Sequence, residues 1–249
     1  MTTMRSRALL GAGLSGLLGA ATICALAAQA HLTKPEHAAE VTFLEGKANR
    51  TPVGAAVAAH LKQGDQILQG DHIATEAKSR VELRLDDKSI LRLGPNAELA
   101  LTEANFAGGG EKRKLTVKLF FGNLWAKVAS AVSGDQHFAV ETENAVAGVR
   151  GTTFRVDAHA DKSVLVRVYA GAVAVARPQD ETPANPEGTL RKEVPGPAEV
   201  TRAAWEKLVG AQMQIVVSAK GEPGEPTGFT AADEAQDTWA KWNEDRDAK

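Results

Sequence analysis

The chain has 249 residues and a formal net charge of −2, with 29 Lys and Arg against 31 Asp and Glu, so it carries no basic field that would favour DNA or RNA as a partner. Its hydrophobic content of 43%, with one Tyr and seven Phe, suffices for a core built mostly from Val, Leu and Ala. The single cysteine, Cys24, sits in the N-terminal apolar stretch, which excludes a disulfide or a cysteine metal site from the remainder.

Arg5 and Arg7 precede an uncharged stretch from Ala8 to Ala28, and Ala28-Gln29-Ala30 has the small-x-small pattern of a cleavage site. Residues 1–30 therefore read as a signal peptide cut after Ala30. The competing reading is an N-terminal membrane anchor, in which residues 8–28 cross the hydrocarbon core and are the only membrane contact. Their many Ala and Gly residues insert weakly, which favours cleavage, and Ala21-Thr22-Ile23 before Cys24 lacks the box expected of a lipid-modified cysteine. Either way the positive n-region places the rest outside the cytoplasm, in the periplasm or cell envelope. Cleavage removes two positive charges and no acid, taking the net charge from −2 to −4.

Residues 31–39 read as a tether. Val41 to Glu45 with Gly46 predicts a first strand and turn, and the pairs Gly64-Asp65 and Gly70-Asp71 predict turns feeding strands at Ile67 and Ile73. In Val81-Glu82-Leu83-Arg84-Leu85 and Leu91-Arg92-Leu93 apolar residues alternate with charges, predicting strands with one buried and one wet face. Turns are expected at Asp86 to Ser89 and at Gly94-Pro95-Asn96. Gly108-Gly109-Gly110 reads as a loop; it lacks the GK[ST] ending of a phosphate cradle. Further strands are expected at 115–119 and 124–128, separated by a corner at Gly122-Asn123, then at 138–142, 164–169 and 172–175. The result is an all-β domain over residues 40–176.

Residues 177–200 are rich in Pro and read as a surface segment. Residues 201–249 predict a helix-strand-helix extension. Its first helix spans 201–213 with Trp205, Leu208 and Val209 at helical spacing, a strand follows at 214–218, and a last helix starts at Thr230 with a capping box to Asp233. Ala235, Trp239 and Trp242 would form one stripe of that helix, packing it back on the β domain or docking it on a partner.

The stretch from Ala145 to Val156 turns through Gly148 and Gly151 and enters the alternating run Thr153-Phe154-Arg155-Val156. The glycines are expected to permit a corner, with Val149, Phe154 and Val156 in the core. Together with Gly70 to Thr75, the run from Ser79 to Leu93 and Gly122-Asn123-Leu124-Trp125, it resembles the FecR domain family of bacterial envelope proteins over residues 40–176. The resemblance implies a mainly β, β-solenoid-like domain in the periplasm. Some relatives relay an outer-membrane transport signal to a sigma factor. Only seven residues precede the apolar segment here, so the cytoplasmic region that would hold a sigma factor is not expected.

The histidines His31, His37, His60, His72, His137 and His159 have no metal-site spacing, and no G-x-S-x-G elbow is present, so no catalytic residue, metal or cofactor is expected. The expected function is a non-enzymatic module that binds an envelope protein or senses a signal. The alternative is a peptidoglycan or surface-polysaccharide binder in which Trp125 or Tyr169 stacks on sugar rings. Candidate partner-binding residues are Arg150, Trp125, Trp239 and Trp242.

Overall fold

Alternation of period two dominates the chain, and strands follow from it. The computed structural model describes residues 37–106, 113–129, 136–178 and 206–248, all within a unit of residues 35–249. The segment 8–28 with its cleavage site, Gly108-Gly109-Gly110, most of the Pro-rich segment and Trp205 lie outside the described residues.

The strands, numbered in chain order, form two open sheets joined through one shared strand. Sheet A runs in space as β4 (Gln66–Leu68), β1 (His37–Glu45), β6 (Arg80–Leu85), β7 (Ile90–Leu93), the second half of β9 (Arg113–Lys127), β12 (Thr153–Ala158), β13 (Val164–Ala170), β16 (Met213–Val217) and β17 (Thr227–Gly228). Sheet B runs as β3 (Ala59–His60), β2 (Ala48–Thr51), β5 (His72–Thr75), β8 (Glu98–Asn105), the first half of β9, β10 (Gln136–Glu141), β11 (Val146–Val149), β14 (Ala172–Ala176) and β15 (Lys207–Gly210). The mainly β expectation holds. Pairings between these strands are antiparallel except β9 with β10, and this pattern does not by itself establish the stacked coils of a solenoid.

Inward residues of both sheets share one core. Across sheet A the row Val81, Leu93, Leu124, Val156, Val166 and Ile215 runs from strand to strand in register, each residue at most 2% exposed. Val117, Leu119, Val140, Val173 and Val175 face it from sheet B. Val149, Phe154 and Val156 belong to this core as expected. Gly151 takes the positive φ of a corner (+60°). Gly148, by contrast, lies within β11, where an added Cβ would come no closer than 3.9 Å to a neighbour, so the corner does not depend on it.

Other sequence expectations change as well: β1 begins at His37, so residues 37–39 of the segment read as a tether are strand, with Ala38 and Ala39 buried in the core. The segments around Gly122-Asn123 are one continuous strand, β9, whose bend at Gly122 (φ +92°) moves it from sheet B to sheet A. Phe121 still pairs with β8, whereas Gly122 already pairs with β12. The helix predicted over 201–213 is, in its described part, strand β15 of sheet B and a turn at Gln212 (φ +59°) that leads into β16 of sheet A. Adjacent Leu208 and Val209 point to opposite faces there, at 70% and 0% exposure, as strand periodicity demands.

The last helix is two: α1 (Ala231–Glu234) and α2 (Thr238–Asp247). The capping box at Thr230 is present, its backbone N–H donating to Asp233 at 2.6 Å. A second cap interrupts the stripe. Asp237 accepts from the backbone N–H groups of Trp239 and Ala240, each at 3.0 Å, and starts a new helix that excludes Ala235.

Candidate functional site

The outward residues of sheet A form a second row, Glu82, Arg92, Trp125, Arg155, Arg167 and Gln214, one from each of six neighbouring strands. Side-chain alternation puts these residues on the face opposite the core. Arg155 and Arg167 sit directly across from one another, an arrangement of like charges that is destabilising unless anions intervene.

The anions come from the C-terminal segment. Between Phe229 and Asp247 it carries six acids and two bases, and its acids meet the arginines one by one. Arg92 pairs with Asp247 at 2.8 Å, Arg155 with Asp237, and Arg167 with Glu234 at 3.1 Å. Asp247 also accepts from the Trp125 indole at 3.0 Å, and Glu234 from the Tyr169 hydroxyl at 2.5 Å. The helix reciprocates with a cation: Arg246 donates to Glu82 Oε2 at 3.0 Å, beside Arg92 at 2.7 Å on the same oxygen.

Asp237 couples helix formation to docking. One carboxylate oxygen caps α2 and the other binds Arg155, which also donates to Asp157 at 2.7 Å. A register shift between Thr153 and Phe154 leaves Tyr169 with no residue opposite, and its ring packs on Trp125 at 4.3 Å between centroids. Phe229 closes that end, edge-on to Tyr169 at 5.4 Å. At the other end Trp239 and Trp242 stack at 5.2 Å, with Phe43 5.7 Å from Trp242 and the guanidinium groups of Arg80 and Arg246 about 5 Å from its ring. Each such cation–π contact contributes roughly 0.5–1 kcal/mol where solvent reaches it.

The electrostatics follow from this pairing. Burial opposes ionisation of Glu82, but hydrogen bonds from Arg246, Arg92 and Thr42 outweigh it and hold the carboxyl at about 2, below its ordinary 4.5. Burial likewise opposes the charge on Asp237, and Arg155 with the capped N–H groups reverses the balance and lowers it. Burial and the adjacent Glu234 push the Tyr169 phenol up. Because Glu82 and Asp237 are more acidic folded than unfolded, their contribution to stability is complete above the unfolded value and is lost as the pH falls through the folded one. Acidification from about 4.5 toward about 2 should therefore release α2 before the sheets unfold. The check is tryptophan emission changing while the strand signal in far-ultraviolet circular dichroism persists; simultaneous loss of both would contradict it.

Of the residues singled out from sequence, Trp125, Trp239 and Trp242 meet at this face, and Arg150 does not: it is exposed at the corner between β11 and β12. Trp125 is 1% exposed, beneath the helix. The expectation that Glu82 and Arg92 are wet is corrected, since they are 9% and 1% exposed under α2. Sequence reasoning missed the arginine row and its acids. The available signal was three strands with Arg at their outward positions and an acid-rich C-terminal segment.

Residues 71–174 match the family model described as FecR protein. Two crystal structures of a candidate anti-sigma factor from Parabacteroides distasonis are similar at 18% identity and a TM-score of 0.44, covering 64% of this chain and 60% of that one. Among curated proteins there is no significant match. The match to the FecR family model extends from β5 through most of β14.

Proposed function

We propose that the chain is a non-enzymatic module of the periplasm or cell envelope that binds a protein partner or senses a signal through its FecR domain. The observation that carries this reading is the outer face of sheet A, where charged and aromatic rows are arranged to hold helical protein segments. Such rows recognise acids and rings presented at fixed spacing, as peptide-docking surfaces do. Export through residues 1–30 supplies the compartment in this reading, and the mature chain begins at His31. The regulatory role of some FecR-domain relatives favours a role in signalling.

Sugar binding is the weaker reading. Trp125 and Tyr169, its stacking platforms, pack on one another beneath the C-terminal segment. Capture from envelope extract with the full mature chain, set beside sedimentation with purified sacculi, separates the two. The expected result is saturable capture of a protein and no saturable sacculus binding. Sacculus binding that disappears in Trp125→Ala would overturn it.

A further inference from the structure

We propose that the outer face of sheet A is a binding site for an acidic, tryptophan-bearing helical segment of a partner protein, which residues 229–247 occupy as an internal, exchangeable ligand. The proposal rests on the reading of the chain as a protein-binding module and specifies where and what it binds.

The complementarity is chemical and specific. Three arginines on one face meet three acids of one segment, and Trp242 of that segment lies among Phe43, Arg80 and Arg92 with Trp239 stacked on it. An uncovered face would present Arg92, Arg155 and Arg167 beside the rings of Trp125 and Tyr169, a combination suited to carboxylates and aromatic groups on a helix.

The segment is also built to leave as a unit. Glu234, Asp237 and Asp247 lie within one short stretch after β17, and no strand of either sheet falls inside it, so among the described residues its departure costs the one backbone bond from Phe229 N–H to the Gln212 carbonyl and leaves the strand pairings intact. Its fit is incomplete. Trp239 is 7% exposed, yet its indole N–H has no hydrogen-bond partner among the described residues. A buried donor left unsatisfied costs on the order of 1–3 kcal/mol. A partner helix that buries no unpaired donor at that point would hold the face more tightly than the chain's own segment does. Occupation by the internal segment then lowers the apparent affinity for the partner by the fraction of molecules already covered, which makes release of the segment a control point.

The test uses a fluorescent peptide with the sequence of residues 229–249, followed by anisotropy on the full mature chain. Asp237→Asn with Asp247→Asn in that chain weakens the internal competitor, and Asn keeps the helix cap. The expected result is saturable binding at least tenfold tighter to this variant than to the wild type. A peptide with Glu234, Asp237 and Asp247 replaced by their amides should bind at least tenfold more weakly. Trp242→Ala in the full chain is a second loosened form should the first fail to fold. Absence of saturable peptide binding to a loosened chain whose sheet amides stay protected would overturn the proposal, as would equal binding of the amide peptide, or dimerisation of the variant that the peptide does not reverse. Those outcomes leave the envelope-capture result standing, so the two failures are distinguishable.

Discussion

Gly122→Ala is expected to lower the melting temperature by on the order of 10 °C, or to prevent folding. Gly122 has φ +92°, and a Cβ there would lie 2.5 Å from Ala97 Cα and 2.6 Å from its Cβ. The backbone cannot yield cheaply, because β9 is paired with β8 up to Phe121 and with β12 from Gly122 onward. A left-handed conformation costs a residue with a Cβ roughly 1–2 kcal/mol, and forcing atoms into a packed site adds roughly 1–3 kcal/mol. At about 2–4 °C per kcal/mol for a domain of this size, the sum gives the stated shift. Gly148→Ala is the control: its nearest neighbour is a carbonyl oxygen at 3.9 Å, so calorimetry should find it close to wild type. Equal melting temperatures for Gly122→Ala and Gly148→Ala would remove the sheet switch from the explanation of the fold.

Arg155→Ala has the second large effect, for an electrostatic reason. Arg155 is 7% exposed, and Asp157, 2% exposed, depends on it for charge compensation while Asp237 joins it to α2. Burial opposes the charge on Arg155, but Asp157 and Asp237 together outweigh that and make its proton harder to remove. Removing one partner of a buried pair typically costs about 3–5 kcal/mol because the other charge stays buried. Denaturant unfolding should show a loss of that order, and a double-mutant cycle with Asp237→Asn should return a coupling of roughly 0.5–3 kcal/mol. Additive effects within a few tenths of a kcal/mol would mean that the contact between Arg155 and Asp237 does not hold the segment.

Much of the fold is legible from the residues. The alternations at 81–85, 91–93, 115–119 and 164–168 give strands because period two puts Val and Leu on one side, and the turn residues at Gly64, Gly70 and Gly171 take positive φ where turns are expected. The sheet assignment of β9 is not legible, since Gly-Asn reads equally as a hairpin corner and as a bend within one strand. The 207–213 stretch misleads because Leu208 and Val209 fit helical and strand patterns alike over so few residues.

The candidate site was legible only in part, and the reason is physical. Alternating charge on a strand signals an outer face, and an outer face is normally wet. Glu82, Arg92, Arg155 and Arg167 are instead covered because a distant acidic segment neutralises them, and sequence pattern does not reveal which charges find partners more than 60 residues away. The tryptophans of the last helix were visible. Their docking partners were not, because Asp237 had no reason to be singled out until it served as both cap and ion-pair partner.

Amide hydrogen exchange of the full mature chain at neutral pH tests most directly whether the acidic segment sits on the arginine row in solution. The expected result is slow exchange for the hydrogen-bonded amides of α2 in the wild type and fast exchange for the same amides in Asp237→Asn, with the amides of β8 and of the first half of β9 unchanged. Fast exchange throughout α2 in the wild type, or exchange indifferent to Asp237→Asn, would contradict it.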